Sequence, residues 1–186
     1  QRLYTIPEFM RTAAESWRAG GSECSVGCTM RQAASVIFVR DGDNGLETIL
    51  TYRPGTSPLG VVAFPSGTAL PGDDESASWV GPGADYWQDQ FHFSDIAQAR
   101  RSVMAAVRES FEETGILLAG EDEQDVVERS STPELMAWRE AVAEQDKSFS
   151  NFLTSSGLSV RADLLRPVAR WQSPDFFLKR YDIAYF

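Results

Sequence analysis

Residues 108–116 run Arg-Glu-Ser-Phe-Glu-Glu-Thr-Gly-Ile, placing three carboxylates and a guanidinium at helical spacing ahead of a glycine. At 100° per residue, Glu109, Glu112 and Glu113 share one arc, while Val103, Val107, Ser110, Phe111 and Thr114 lie opposite. One face is acidic and the other packs. Like charges at i,i+4, such as Glu109 and Glu113, weaken a helix by roughly a few tenths of a kcal/mol. A hard divalent cation reverses that sign, since it prefers oxygen ligands. Mg²⁺ commonly takes only one or two carboxylates and fills its shell with water and substrate phosphates, so the pattern suits metal-assisted chemistry on a phosphate-bearing substrate. The competing reading is a solvated helix face with Arg108 and Glu112 as an ordinary i,i+4 pair.

These side chains need a helix, and its bounds are legible. Ser94 ahead of Asp95-Ile96-Ala97 predicts the start, and Gly115 suits the left-handed residue that ends it, giving a helix from about Ser94 to Thr114. Upstream, Ala33 to Val39 and Glu47 to Tyr52 are strand-like runs around Asp41-Gly42-Asp43-Asn44-Gly45, which predicts a hairpin. Downstream, helical spacing is expected over Pro133 to Glu144 and Phe149 to Leu158, and strand character over Leu164 to Trp171 and Phe177 to Phe186. Residues 120–131 are acidic and read as solvated. Ile6 to Trp17 carries an apolar stripe at helical spacing, so residues 1–30 read as a helical extension, packed on the domain or a partner subunit, ahead of one catalytic domain over 31–186.

The run at 108–116 resembles the second half of the Nudix box, Gly-x5-Glu-x7-Arg-Glu-U-x-Glu-Glu-x-Gly-U, in which U is a bulky aliphatic residue. Arg108, Glu109, Glu112, Glu113, Gly115 and Ile116 match in register, with Ser110 at the first U position. Phe64-Pro65-Ser66-Gly67 is similar to the Phe-Pro-Gly-Gly loop of that family, and Asp73, six residues beyond Gly67, stands where the box has Glu. Between Asp73 and Arg108 lie 34 residues where the box has 7. The box is thus split by an insertion, expected over about Leu70 to Phe93 as an irregular excursion that covers substrate.

An insertion there, with Arg170-Trp171-x-x-Pro174 and Arg180-Tyr181-Asp182-x-x-Tyr185-Phe186, is similar to the branch that includes peroxisomal coenzyme A diphosphatases. The coenzyme A signature of that branch matches at its ends, Ile49-Leu50-Thr51-Tyr52-Arg53 and Gly60-Val61-Val62-Ala63-Phe64, but lacks a second Arg and two residues between them. Arg53 and Phe64 are therefore candidate substrate contacts, against the alternative that 47–53 is simply a strand with alternating faces.

The resemblance implies a Nudix-type α/β/α sandwich with a mixed sheet, with further strands and a closing helix expected beyond residue 186. It implies that Glu112 and Glu113 ligate Mg²⁺ or Mn²⁺, that Glu109 is a ligand or the base that orients water, and that the Ser66-Gly67 backbone supplies a carbonyl. Arg108 would brace loop and helix. The activity implied is hydrolysis of a diphosphate linkage in a nucleoside diphosphate derivative, coenzyme A and acyl-coenzyme A among the candidates. The alternative is a non-catalytic Nudix-fold module that binds a nucleotide or metabolite.

Composition bounds the rest. In 186 residues with 42% hydrophobic content there is material for one core, and no apolar run is long enough to span a membrane. A net charge of −10 argues against a nucleic-acid polymer as partner. His92 is the sole histidine, read as a polar loop residue between two Phe, so a His-rich zinc site cannot be built. Cys24 and Cys28 read as reduced thiols in a loop, which fits a cytoplasmic setting. A homodimer is a candidate assembly.

Overall fold

The computed structural model describes residues 8–20, 29–52, 62–74, 77–127, 132–175, 177 and 179–186. In chain order the elements begin with α1 (Glu8–Arg18), β1 (Met30–Ser35), β2 (Val39–Gly42), β3 (Gly45–Thr48), β4 (Thr51–Tyr52), β5 (Val62–Ala63) and β6 (Ser66–Thr68). After a 3-10 turn at Pro71–Asp74 come β7 (Trp79–Val80), α2 (Ala84–Phe91), α3 (Ile96–Thr114) and β8 (Ala119–Gly120). The chain continues through α4 (Pro133–Ala143), α5 (Phe149–Ser155), β9 (Ser159–Arg161), β10 (Ala169–Gln172) and β11 (Arg180–Tyr185).

The central sheet is mixed, in the order β10-β11-β1-β6. β1 runs parallel to β11 and antiparallel to β6, with Ala34 opposite Ala184 on one side and Gly67 on the other. The mixed α/β architecture expected from the sequence is present. Ala34 and Ala184 are fully buried, as are Ala99, Val103, Ala105 and Ala106 of α3, and small side chains on both layers let helix and sheet approach closely. The face of α3 opposite the glutamates packs as its spacing predicts, with Val103, Val107, Ser110 and Phe111 all buried. Phe111 stacks on Phe152 of α5 at 5.5 Å between ring centroids. A separate three-stranded sheet has the order β7-β9-β8.

Three local expectations change. The turn at 41–45 does close a hairpin, but between β2 and β3; β1 pairs instead with β11 and β6. Asp95 rather than Ser94 caps α3, its carboxylate accepting from the Gln98 N–H at 2.7 Å. That places a negative charge at the positive end of the helix, which a hydroxyl cannot supply. The stretch Leu70 to Phe93 is not irregular throughout, because α2 within it buries Trp87 and Phe91 against the core. Trp87 and Phe91 both meet Phe186 edge-on, at 5.5 and 5.0 Å. Such aromatic pairs contribute about 0.5–1.5 kcal/mol beyond the area they bury, enough to order a short segment of modest helix propensity.

His92 ends α2 in the left-handed region (φ 53°), and its carbonyl accepts from Arg170 Nη1 at 2.6 Å. Among the described residues, no helix is long and apolar enough to cross a membrane. Cys24, Cys28 and Arg53 lie outside the described residues.

Candidate active site

Two segments far apart in sequence meet at the C-terminal half of α3. One is β6 with the following 3-10 turn; the other is the turn of helix carrying Arg108 to Glu113. Arg108 ties them together while buried to 4% exposure. Its Nε donates to Asp73 Oδ1 at 3.0 Å and its Nη2 to Asp73 Oδ2 at 3.1 Å, a bidentate pair. Nη2 also donates to the Thr68 carbonyl at 2.8 Å, and Nη1 to Glu109 Oε1 at 2.8 Å and Glu112 Oε1 at 2.9 Å. Each of the five guanidinium N–H donors thus has an acceptor. Burial alone would pull this guanidinium below its ordinary pKa, but the hydrogen bonds and charge of Asp73, then Glu109 and Glu112, outweigh it and hold it higher.

Asp73 is itself only 2% exposed, and its Oδ2 also accepts from the Leu70 N–H at 2.8 Å. A carboxylate at that position therefore fulfils a defined task, although its side chain is one carbon shorter than Glu. The 34-residue separation in sequence closes in space.

Gly67 lies in β6 beneath Glu109, and a Cβ there would overlap the Glu109 carboxylate. The glycine is needed for close approach rather than for an unusual backbone angle. Gly67→Ala is expected to displace the carboxylate and lower turnover about tenfold, with a change in unfolding free energy of only about 1 kcal/mol. Steady-state kinetics beside urea denaturation would test this, and an unaltered rate would remove the contact from the site.

The three glutamates occupy different settings. Glu109 is largely buried, and that desolvation, partly offset by Arg108 and reinforced by Glu112 and Glu113, pushes its carboxyl up to about 7. Glu112 is raised for the same first reason, burial, again partly offset by Arg108. Glu113 is exposed, and its Oε2 accepts from the Ser66 N–H at 3.3 Å and the Thr51 hydroxyl at 3.2 Å.

Stability should follow this titration. The folded protein retains a proton on Glu109 that the unfolded chain releases near 4.5. The contribution to stability is therefore complete below about pH 4.5 and is lost as pH rises through about 7, by at most about 3 kcal/mol. In chelator, urea unfolding should show this decline in the wild-type protein and a flatter profile in Glu109→Gln. Identical profiles would contradict it.

At the helix end, Gly115 takes the left-handed conformation (φ 74°) and its N–H bonds to the Phe111 carbonyl, as its place after Thr114 predicts. Ser110, at the first U position, is fully buried and returns its hydroxyl to the Ala106 carbonyl at 2.7 Å. Phe64 is half-buried between β5 and β6. Sequence reasoning missed the Thr51 hydroxyl as a partner of Glu113, and it missed Arg139. From α4, Arg139 donates through Nε at 2.9 Å and Nη2 at 2.8 Å to the Glu112 carbonyl. Thr51 stands inside a matched segment, whereas Arg139 has no local signature.

The donor chemistry is that of a hard divalent cation: carboxylate oxygens only, with three acidic groups (Asp73, Glu109 and Glu112) around one guanidinium, Glu113 beside them, and elevated proton affinity on Glu109 and Glu112. Among the described residues, no group of three or more Asp, Glu, Cys or His side chains is arranged to hold a metal ion. Glu109 and Glu112 each direct one oxygen to Arg108, and Glu113 leans toward β4 and β6.

No family model matches the chain, and no curated protein matches it. Among solved structures, the crystal structure of a NUDIX hydrolase from Alicyclobacillus acidocaldarius matches with a TM-score of 0.65 and 24% sequence identity. The match covers 86% of this chain and 69% of that one. The fold of this chain is therefore similar to that of a Nudix hydrolase.

Proposed function

We propose that the protein is a metal-dependent hydrolase that cleaves a diphosphate linkage in a nucleoside diphosphate derivative. The observation that carries this reading is the placement of Glu109, Glu112 and Glu113 on the last turns of α3, with Arg108 holding Glu109 and Glu112 while it ties the helix to β6 through the Thr68 carbonyl and to the following 3-10 turn through Asp73. The fold similarity to a hydrolase supports it.

Glu112 and Glu113 would hold Mg²⁺ or Mn²⁺, with the Ser66-Gly67 backbone as a further oxygen source. Bound there, the cation would neutralise phosphate charge and lower the pKa of its water. Glu109, whose carboxyl sits near neutrality, would be a ligand or would hold and release a proton as the base that orients the attacking water. Arg108 keeps Glu109 and Glu112 aimed without spending a donor on substrate. Arg53 and Phe64 are the proposed substrate contacts, and coenzyme A or acyl-coenzyme A is a candidate substrate. The proposed setting is the cytoplasm.

The test is a Mg²⁺ and Mn²⁺ activity screen over coenzyme A, acyl-coenzyme A, ADP-ribose, dinucleoside polyphosphates and oxidised nucleotides, with mass analysis to locate the broken bond. Cleavage between the two phosphorus atoms of one class is the expected result. Tight calorimetric binding of a ligand with no cleavage at any metal concentration would instead establish a non-catalytic binding module.

A further inference from the structure

We propose that Arg139 is a positioning residue for the metal-binding turn, clamping the backbone of Glu112 from α4 so that the Glu112 and Glu113 side chains keep a fixed direction. The proposal rests on the metal reading of those glutamates. The Glu112 carbonyl belongs to the last turn of α3, where carbonyls have no partner within the helix. Arg139 fills that vacancy with two donors at 2.9 and 2.8 Å. Its cation also lies at the negative end of the helix, the favourable sign.

Two further observations aim the clamp at this turn. A Cβ on Gly115 would make ordinary contact with Arg139 Nη1 at 3.4 Å, so the guanidinium lies directly beside the left-handed residue that ends the helix. The preceding residue, Trp138, packs on Phe152 at 5.2 Å, and Phe152 stacks on Phe111 of α3. Thr132 caps α4 by accepting from the Leu135 N–H, and Pro133 opens it. Helix α4 is thus anchored through the aromatic layer and presents Arg139 to one peptide unit. Glu112 is held twice, by Arg108 at its carboxylate and by Arg139 at its carbonyl.

The experiment titrates Mn²⁺ into the full chain and counts free ion by electron paramagnetic resonance, for the wild-type, Arg139→Met, Arg139→Lys and Glu112→Gln proteins. Partners behind metal ligands typically change affinity about 10- to 100-fold, so Arg139→Met is expected to bind Mn²⁺ about tenfold more weakly. Arg139→Lys keeps the charge but loses the planar fork, and is expected to remain at least about threefold weaker than wild type. A merely structural role would lower the melting temperature in chelator and leave the affinity of the folded protein unchanged. That result in Arg139→Met, or wild-type affinity in Arg139→Lys, overturns the proposal. If Arg139→Met does not fold, Arg139→Lys decides alone. Wild-type protein that binds no Mn²⁺ overturns the metal reading and this proposal with it, an outcome distinct from wild type and Arg139→Met binding equally well.

Discussion

Glu112→Gln is expected to lower kcat for diphosphate cleavage by about a hundredfold or more at saturating Mg²⁺, while the protein stays folded. The amide preserves the volume of the side chain, and its oxygen can still accept from Arg108 Nη1, whose bond to Glu112 Oε1 is 2.9 Å. What disappears is a negative charge at the point where a cation must be held, and fixed charges of this kind are worth roughly 10²- to 10³-fold in rate when removed singly. Burial already opposes ionisation of Glu112, so substitution should leave the melting temperature in chelator unchanged or higher. A variant as fast as wild type with Mg²⁺ present would end the assignment of Glu112 as a ligand.

Arg108→Ala should be the most destabilising change at the site. Asp73 would be left 2% exposed without its bidentate partner, and Glu109 and Glu112 would lose their shared donor. Breaking a buried pair from one side costs about 3–5 kcal/mol, which for a domain of this size lowers the melting temperature by about 10 °C. Asp73→Asn should cost less than half as much, because its amide oxygen still accepts a bond and the guanidinium keeps Thr68, Glu109 and Glu112. Thermal unfolding of the two variants in chelator measures the difference. Equal losses would show that Asp73, rather than the five-fold role of Arg108, dominates the tie.

The helix carrying the glutamates was legible because its signals are local. The packing of Val103, Val107 and Phe111, the left-handed Gly115 and the end at Thr114 all follow from residues within a few turns of one another. Asp73 was legible only by counting from Gly67, since no periodicity connects it to Arg108. Helix α2 was hidden because its eight residues mix Asp, Gln, Tyr and Trp, and the reason they fold is burial of Trp87 and Phe91 against Phe186 at the far end of the described chain. The partner of β1 was hidden for a similar reason: the turn at 41–45 reports its immediate neighbours, and β11 begins at Arg180. Arg139 acts on a backbone carbonyl, a target that leaves no trace in side-chain pattern.

Splitting the two halves of the site has a modest entropic consequence. The cost of closing a flexible chain grows only as the logarithm of its length, so joining Asp73 to Arg108 across 34 residues rather than 7 adds about 1.4 kcal/mol. That is less than the cost of breaking the buried ion pair from one side. The intervening stretch also folds, adding the Trp87 aromatic contacts to the core. Spacing along the chain is therefore a soft variable here and side-chain geometry a hard one: the connection can be lengthened at little thermodynamic cost as long as one guanidinium still reaches one buried carboxylate.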